Sequence, residues 1–511
     1  MSLSSALSII NSAFVANGAQ SAVISSNISN AGTKGYAREI ANLVTNASGG
    51  VEVTSVGREA NAALLEQANT STSAAACQQA LSDGLTTLAN TVSDSSSATS
   101  SSGAAANGNS PSAMLANLQS ALETYDASPS STSAGQGVVT AAQDLASSLN
   151  AGATAVQNVR ETADSDMASA VSTVNSLLTQ FTSVNNTIVA GTAIGADVSS
   201  AEDARDSILT QLSQQIGIST TTNSIGSTSI YTDSGVTLFQ DVPSTVSFVP
   251  TATLTDNASG NQVLVDGVPI AGIDPPITGA SPSAIQSGAL AGFAELRDVV
   301  APQYGAQLDQ IANGLINAFA EGDPTTGTPP PLPGLFTFID PTTDAPATYV
   351  PTNTAATGLA YEIKVNANVD PSQGGDVNLL RDGGIADPTN SAYTYNTTGA
   401  ASYTGRITQL IGATTSTQSF SGAAGLGTSA SLSDYSGASV SWLQSQHQQA
   451  SNQLDYENSV VGQATTALSN ATGVNLDTEM TNMLSIENSY TTTAKLLTTV
   501  NDMFTSLLSA V

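Results

Sequence analysis

Apolar side chains recur at alternating intervals of four and three residues at both ends of this chain. In the N-terminal segment they are Leu3, Leu7, Ile10, Phe14, Ile24 and Ile28, with polar Asn17 and Ser21 in the same register. In the C-terminal segment the same spacing runs through Leu476, Met480, Met483, Tyr490, Leu497, Phe504 and Leu508, with Glu487, Ala494 and Asn501 at the positions between. The spacing predicts one helix at each end, with an apolar face that other helices must cover. It therefore favours a protein that assembles over a self-contained enzyme.

Composition narrows the class of protein further. The chain has 511 residues, with 40 acidic and 10 basic side chains and a formal net charge of -30. The length suffices for several domains with their own cores. Because phosphates and anionic headgroups would be repelled, nucleic acid and acidic membrane surfaces are disfavoured as partners. The one cysteine, Cys77, excludes an internal disulfide framework, and we interpret it as a buried packing residue.

The sequence gives no sign of a membrane span or a cleaved leader. No apolar run approaches the ~18 to 20 residues that cross a bilayer. The first basic residue is Lys34, whereas a secretory signal begins with positive charge. We therefore expect no membrane insertion, and export by a route that reads an uncleaved N-terminus stays open.

The spacing of apolar residues changes along the chain and predicts a multidomain fold, mainly α with an inserted β-rich domain. Terminal helices would form an α-helical coiled-coil stalk, followed outward by a helical-bundle middle domain and a β-rich outer domain. The predicted segments are 1–33 and 474–511 for the terminal helices, 34–217, 286–322 and 400–473 for the helical domain, and 218–285 and 323–399 for the β-rich domain. Alternation around a Gly-rich turn predicts a short β-hairpin between Arg38 and Val56, within the helical domain.

No catalytic, cofactor or metal site is predicted. His447, the single histidine, lies on a polar helix face, and zinc lacks enough Cys and His ligands. The acid pairs Asp164/Asp166 and Asp477/Glu479 are expected beside helix starts, where carboxylates are stabilised by exposed N–H groups.

Two segments carry a family resemblance. Residues 26–38, with Asn27, Asn30, Gly35 and Tyr36, resemble the Asn-rich N-terminal signature of bacterial flagellar rod, hook and hook-associated proteins. Residues 473–480 are similar to the C-terminal signature of the same family. The helical pattern from Gly288 to Phe319 is most similar to hook-associated members.

The resemblance implies a structural, non-enzymatic subunit that joins hook to filament by coiled-coil packing of its terminal helices. Implied partners are copies of itself in a ring or tube, the hook subunit, the next junction protein or flagellin, and an export chaperone on the C-terminal helix. The implied location is the flagellum, after export from the cytoplasm. The assembly interface would comprise the apolar residues of both ends together with Asn27, Asn30, Gly35 and Tyr36.

Two alternatives remain open from sequence. The first alternative to a hook-associated subunit is another axial protein, such as a hook subunit or flagellin. The second, which the sequence favours less, is a secreted acidic adhesin or surface-layer subunit.

One further expectation concerns the two ends. Because residues 1–33 contain no charged side chain, we expect the N-terminal helix to be the more enclosed one in the assembly.

Overall fold

The computed structural model describes residues 2–47, 49–93, 108–255, 258–272, 283–322, 331–340, 343–352 and 357–509. Within these residues the helices are α1 (Leu3–Asn30), α2 (Ala62–Ala89), α3 (Pro111–Ala127), α4 (Thr132–Ala193), α5 (Ser199–Gln215), α6 (Ala289–Glu295), α7 (Ala301–Ala318), α8 (Leu359–Glu362), α9 (Leu379–Asp382), α10 (Gly405–Thr415), α11 (Leu432–Thr472) and α12 (Leu476–Ser509). A π-helical turn, Leu296–Val300, joins α6 to α7.

The strands are short and form several small sheets. They are β1 (Glu39–Thr45), β2 (Val51–Arg58), β3 (Ile218–Thr222), β4 (Thr228–Thr232), β5 (Thr237–Gln240), β6 (Val242–Pro243), β7 (Val246–Ser247), β8 (Val263–Val265), β9 (Val268–Ala271), β10 (Phe336–Thr337), β11 (Ile339–Asp340), β12 (Ala345–Pro346), β13 (Lys364–Val365), β14 (Thr417–Ser419) and β15 (Ser429–Ser431). The larger sheets have the orders β3-β4-β5-β6 and β7-β8-β9. The prediction of a mainly helical chain with smaller β-regions is confirmed.

Serine side chains start the long helices. Ser131 accepts a hydrogen bond from the Ala134 amide at the start of α4, and Ser431 accepts one from Asp434 at the start of α11. These contacts satisfy amide groups that a first helical turn leaves free. No proline interrupts α4, which runs for 62 residues. At 1.5 Å per residue it is about 93 Å long.

Helix α4 passes through both hydrophobic clusters of the protein. Its first half packs with α2, α3, α7 and α11 in a cluster that includes Leu88, Leu118, Leu145, Leu308 and Leu432. Its second half packs with α5 and the strands β3 to β9 in a cluster that includes Met167, Phe181, Leu212, Ile230 and Val263. The helix is therefore the element that the two clusters share.

The two strand-bearing segments belong to different clusters. Residues Ile230 and Val263 lie in the second cluster, whereas Phe336 and Val365 lie in the first, against the helices. The described contacts thus do not support placing 218–285 and 323–399 in one outer domain, and that division stays a prediction.

One positional prediction was wrong. Asp164 and Asp166 lie in the middle of α4 and not at a helix start. Asp164 is buried, and its Oδ1 accepts a hydrogen bond from Arg297 Nη1 at 2.5 Å. Its Oδ2 accepts one from the Thr251 amide at 2.7 Å. The error arose because Gly135, Gly137 and Gly152 lie within α4 without ending it, so the acid pair is far from either end of the helix.

Candidate assembly interface

Helices α1 and α12 pack against each other in an antiparallel pair. Asn17 Nδ2 donates to Ser489 Oγ at 3.1 Å, and nearer the other end Asn27 Nδ2 donates to Glu479 Oε2 at 3.3 Å. As residue numbers rise in α1 they fall in α12, so both chain ends lie at the same end of the pair. Beyond the Asn17 contact, towards the two chain ends, the rings of Phe14 and Tyr490 meet edge to face, with centroids 4.9 Å apart.

The segment after α1 turns the chain sharply. Asn30 Nδ2 donates to the Ser26 carbonyl at 3.0 Å, and the Thr33 hydroxyl donates to Asn30 Oδ1 at 3.3 Å. Gly35 then adopts a φ of 85°, a conformation that side chains other than glycine rarely take. This turn brings Tyr36 back beside α1.

Asn27 is the centre of a hydrogen-bond network. It is 1% exposed, and its Oδ1 accepts from the Glu39 amide at 2.8 Å and from the Tyr36 hydroxyl at 3.0 Å. Its Nδ2 donates to the Glu39 carbonyl at 2.9 Å as well as to Glu479. Two acceptor and two donor contacts use the full capacity of an amide side chain. The side chain therefore joins α1, β1 and α12 inside a single chain.

Glu479 completes this network from α12. Its side chain is 1% exposed, and its Oε1 accepts from Arg38 Nε at 2.6 Å. Arg38 also lies 3.6 Å from Glu59, and its amide donates to the Thr472 carbonyl at 2.8 Å. Sequence reasoning placed Glu479 beside a helix start, which is correct, but missed its pairing with Arg38. A charged residue on the apolar face of a helix is the signal that indicates such a partner.

The β-hairpin of β1 and β2 covers a second side of α1. Ser12 Oγ accepts a hydrogen bond from the Val51 amide at 3.1 Å, and a Cβ at Gly50 would overlap Ser12. Asn46 Oδ1 accepts from the Gly50 amide at 2.9 Å and closes the turn between the strands. The hairpin predicted between Arg38 and Val56 is confirmed.

The predicted interface residues fall into two groups. Those that are buried or half-buried within the chain are Leu3, Leu7, Ile10, Phe14, Ile24, Asn27, Ile28, Asn30, Tyr36, Met483, Leu497 and Phe504; those that are exposed are Gly35, Leu476, Met480, Tyr490 and Leu508. Their role between copies stays a prediction.

The face of α12 that meets α1 differs in part from the predicted one. It runs through Glu479, Met483, Ile486, Tyr490, Thr493, Leu497, Val500 and Phe504, and so includes four residues that the predicted interface lacked: Glu479, Ile486, Thr493 and Val500. The predicted and observed faces have every second residue of the observed face in common, namely Met483, Tyr490, Leu497 and Phe504. The prediction missed this face because Thr493 is polar, and the spacing of apolar residues alone cannot choose between neighbouring faces of one helix.

Helix α12 keeps two further apolar flanks exposed. Leu476, Met480 and Leu484 follow one another at intervals of four, and Leu484 is 60% exposed. Leu496, Met503 and Leu507 form the second flank, and Leu507 is 61% exposed. At 3.6 residues per turn the two flanks lie roughly 160° apart around the helix. Both are free in the single chain.

The outer face of α1 has the opposite character. Its exposed residues are small and uncharged: Ser4, Ser8, Asn11, Val15, Gly18, Ala22, Ser25 and Ser29. A Cβ at Gly18 would meet nothing within 4 Å. This face is therefore a shallow surface that carries no charge.

By length and composition alone, α1 is apolar enough to cross a membrane. Its buried Asn17 and Asn27 nevertheless bond to polar groups of α12 and β1. Helices packed inside a protein pass the same test of length and composition. The hydrogen bonds of Asn17 and Asn27 show that α1 packs against other elements of this chain.

The described residues contain no group of three or more His, Cys, Asp or Glu side chains placed to hold a metal ion. Cys77 is buried in α2, as expected, and burial raises the pKa of its thiol to about 12. His447 Nε2 lies 3.2 Å from the Thr86 hydroxyl. These groups have structural surroundings, and none of them faces a second reactive side chain in the described contacts.

Two segments of the chain match known protein families. Residues 467–510, which include α12, match the C-terminal family of flagellar basal body rod FlgEFG proteins. Residues 104–323 match the helical domain of flagellar hook-associated protein FlgK. These two matches support a FlgK-type hook-associated protein.

A solved structure, the flagellar hook junction protein FlgK from Burkholderia pseudomallei, is 20% identical to the chain with a TM-score of 0.40. The similarity covers 53% of this chain and 46% of that one, so it spans about half of each. No curated protein matches the chain.

The two family matches support a structural role in the axial part of the bacterial flagellum. The family is one of structural proteins and not of enzymes.

Proposed function

We propose that this FlgK-type chain joins hook to filament, and that its terminal helices pack against those of neighbouring copies to form the wall of a tube. The observation that carries the proposal is the pair of exposed apolar flanks on α12. Such flanks on a long helix are typical of a surface that becomes buried on association.

The outer face of α1 fits those flanks in shape and charge. Large side chains such as Leu484 and Met503 project from α12, whereas Ser8 and Gly18 leave the outer face of α1 shallow. Packing large residues onto small ones lets two helices approach closely. Since α1 has no charged side chain, contact there requires no charge to be buried.

The energetics favour order in the assembly. Burying one Leu or Met side chain contributes about 1.5 to 3 kcal/mol, so six exposed side chains on the two flanks supply a gain that offsets much of the entropy lost on association. A pair of helices covered on few sides lacks this gain. We therefore expect the terminal pair to be cleaved by protease in the monomer and protected in the assembly.

The proposed partners follow from this surface. They are copies of the chain, the hook subunit on one side, and the next junction protein or flagellin on the other. Before export, in the cytoplasm, a chaperone on α12 would cover the same flanks and prevent premature association.

The test is incorporation into flagella. We expect Leu484→Glu and Met503→Glu to abolish incorporation while the purified monomer keeps its helix content by circular dichroism. The matched control is Asn488→Glu, which places the same charge at an exposed polar position of α12 between the two flanks and should assemble normally. Normal assembly of both flank variants would refute the proposal.

A second comparison tests which helix is more enclosed. We expect Ser8→Lys in α1 to reduce incorporation more than Thr492→Lys in α12, because α1 is expected to be the more enclosed helix in the assembly. Both positions are exposed in the single chain, so neither change disturbs its packing. Equal incorporation of the two variants would contradict the expectation that α1 is the more enclosed helix. Ser8 is the better position for this test because Ser12 bonds to Val51, and a substitution there would also disturb the hairpin.

The place in the flagellum is tested by deletion. Cells that lack the chain should build hooks without filaments and release flagellin into the medium, as seen by electron microscopy and immunoblotting. Missing hooks would instead indicate a rod or hook subunit, and normal flagella would favour a surface-layer or adhesin role.

A further inference from the structure

We propose that Arg58 is the positioning residue that holds the terminal module, defined as α1, β1, β2 and α12, at a fixed orientation to the rest of the protein, here called the body. It does so by binding three carboxylates of α5 at once. The inference concerns the single chain and does not depend on where in the flagellum the chain sits.

The geometry of the contact is specific. Arg58 is the last residue of β2, and its Nε donates to Glu202 at 2.9 Å, its Nη1 to Asp203 at 2.8 Å and its Nη2 to Asp206 at 2.6 Å. The side chain is 6% exposed. Each nitrogen of the guanidinium thus has its own carboxylate partner. A planar fork held from three directions fixes orientation as well as distance.

The apolar cores of the protein do not hold the module. Among the described residues, none from α1, β1, β2 or α12 belongs to either hydrophobic cluster. The module is joined to the body by the chain connections at residues 59–61 and 473–475 and by a few polar contacts. These include the Arg38 amide with the Thr472 carbonyl, at 2.8 Å, and the Ala37 amide with Asp203, at 3.5 Å. The Arg58 contact is therefore the strongest described restraint on orientation.

The charges around Arg58 make its loss more severe than the loss of three hydrogen bonds. Glu202, Asp203 and Asp206 lie close together on α5, with Arg205 Nε 3.7 Å from Asp206. Across the joint, burial and then the charges of Asp197 and Asp203 raise the pKa of Glu39. Burial also raises the pKa of Asp203, although Arg58 opposes this. Without Arg58 these carboxylates repel one another across the joint.

The test measures the distance between the module and the body. Spin labels are placed at Ser8→Cys in α1 and Ser172→Cys in α4, both exposed, in a Cys77→Ser background. Pulsed dipolar spectroscopy on the full chain, kept monomeric by dilution, then reports the distribution of distances. We expect one narrow distribution in the wild type at low salt and only slight broadening at ~1 M salt, because a pair this buried is screened much less than an exposed one.

Arg58→Gln should widen the distribution at least about twofold at low salt, because three charge-assisted hydrogen bonds are lost. Added salt should then narrow the distribution in part, because it screens the repulsion between the remaining carboxylates. Arg58→Lys should give an intermediate width, since its ammonium lacks the planar fork. The matched control is Arg381→Gln, which removes an Arg–Asp contact of 2.7 Å inside the body and should leave the distribution narrow.

A narrow distribution in Arg58→Gln, or equal broadening by Arg381→Gln, would overturn the proposal. If Arg58→Gln fails to fold, the triple variant Glu202→Gln, Asp203→Asn, Asp206→Asn removes the same contact without leaving unpaired carboxylates. It should broaden the distribution at unchanged helix content, and a narrow distribution there would count against Arg58 equally.

Discussion

The Nε atom of Arg38 lies 2.6 Å from Oε1 of Glu479, so the start of β1 and the first turn of α12 are joined across 441 positions of sequence. The Glu479 side chain is nearly fully buried, and its second oxygen accepts from Asn27. Breaking a buried ion pair from one side leaves the other charge without compensation. The terminal pair therefore depends on this contact.

We expect Glu479→Ala to destabilise the terminal pair by about 3 to 5 kcal/mol, the range found when one member of a buried ion pair is removed. Hydrogen exchange of the α1 and α12 amides measures the loss locally. Asp477→Asn is the control, because Asp477 is exposed in the same helical turn and should cost under ~1 kcal/mol. The double variant Arg38→Met, Glu479→Met should be less destabilised than either single change; equal or additive losses would contradict a coupled pair.

The aromatic contact of Phe14 with Tyr490 should also be measurable. A double-mutant cycle with Phe14→Leu and Tyr490→Leu is expected to give a coupling of about 0.5 to 1.5 kcal/mol, because edge-to-face rings contribute beyond their buried area. Chemical unfolding followed by a probe on α12 provides the free energies. The same cycle with Val15→Ala in place of Phe14→Leu should give no coupling, since Val15 is exposed.

Gly292 marks the close approach of α6 to α2. A Cβ there would overlap the Cys77 carbonyl and lie 2.9 Å from Ala80 Cβ, so Gly292→Ala should destabilise the body by about 1 to 3 kcal/mol in urea unfolding. Gly462→Ala in α11 is the matched control, because a Cβ at that position meets nothing within 4 Å. It should stabilise by up to ~1 kcal/mol through helix propensity. A neutral Gly292→Ala would show that the two helices are not in close contact.

Glu321 should make stability depend on pH. It is fully buried, and burial raises the pKa of its carboxyl although Arg406 Nη2 lies 3.8 Å away. A raised pKa means that the folded state holds the proton more tightly than the unfolded chain, so the contribution to stability is present at low pH and is lost as pH rises through the folded pKa. Relative to Glu321→Gln, the wild type should therefore gain stability as pH falls from 7 towards 5. Thermal unfolding of both proteins across this range checks the sign, and a constant difference between them would show that Glu321 does not titrate there.

Features that depend on neighbouring residues could be predicted from the sequence. The spacing of Leu3 and Ile10, with the Asn- and Gly-rich turn that follows, placed the end of α1 close to Asn30. The hairpin between Arg38 and Val56 followed from alternation around a Gly-rich turn. In both cases local spacing and turn residues carry the necessary information.

Features that depend on distant residues could not. The pairing of Arg38 with Glu479 joins opposite ends of the chain, and the residues around either one do not indicate which distant residue will be its partner. The observed face of α12 includes Thr493 and Val500, because the position of α1 and not the apolar count decides which side is covered. Likewise, the second half of α4 carries its own cluster because strands far along the chain return to it.

The length of α4 has a mechanical consequence. One uninterrupted rod crosses both clusters, so twisting force applied to one of them is delivered to the other without a flexible break between. A subunit built around such a rod resists torsion along its long axis. Bending between the terminal module and the body is then concentrated at the contact of Arg58 with the carboxylates of α5.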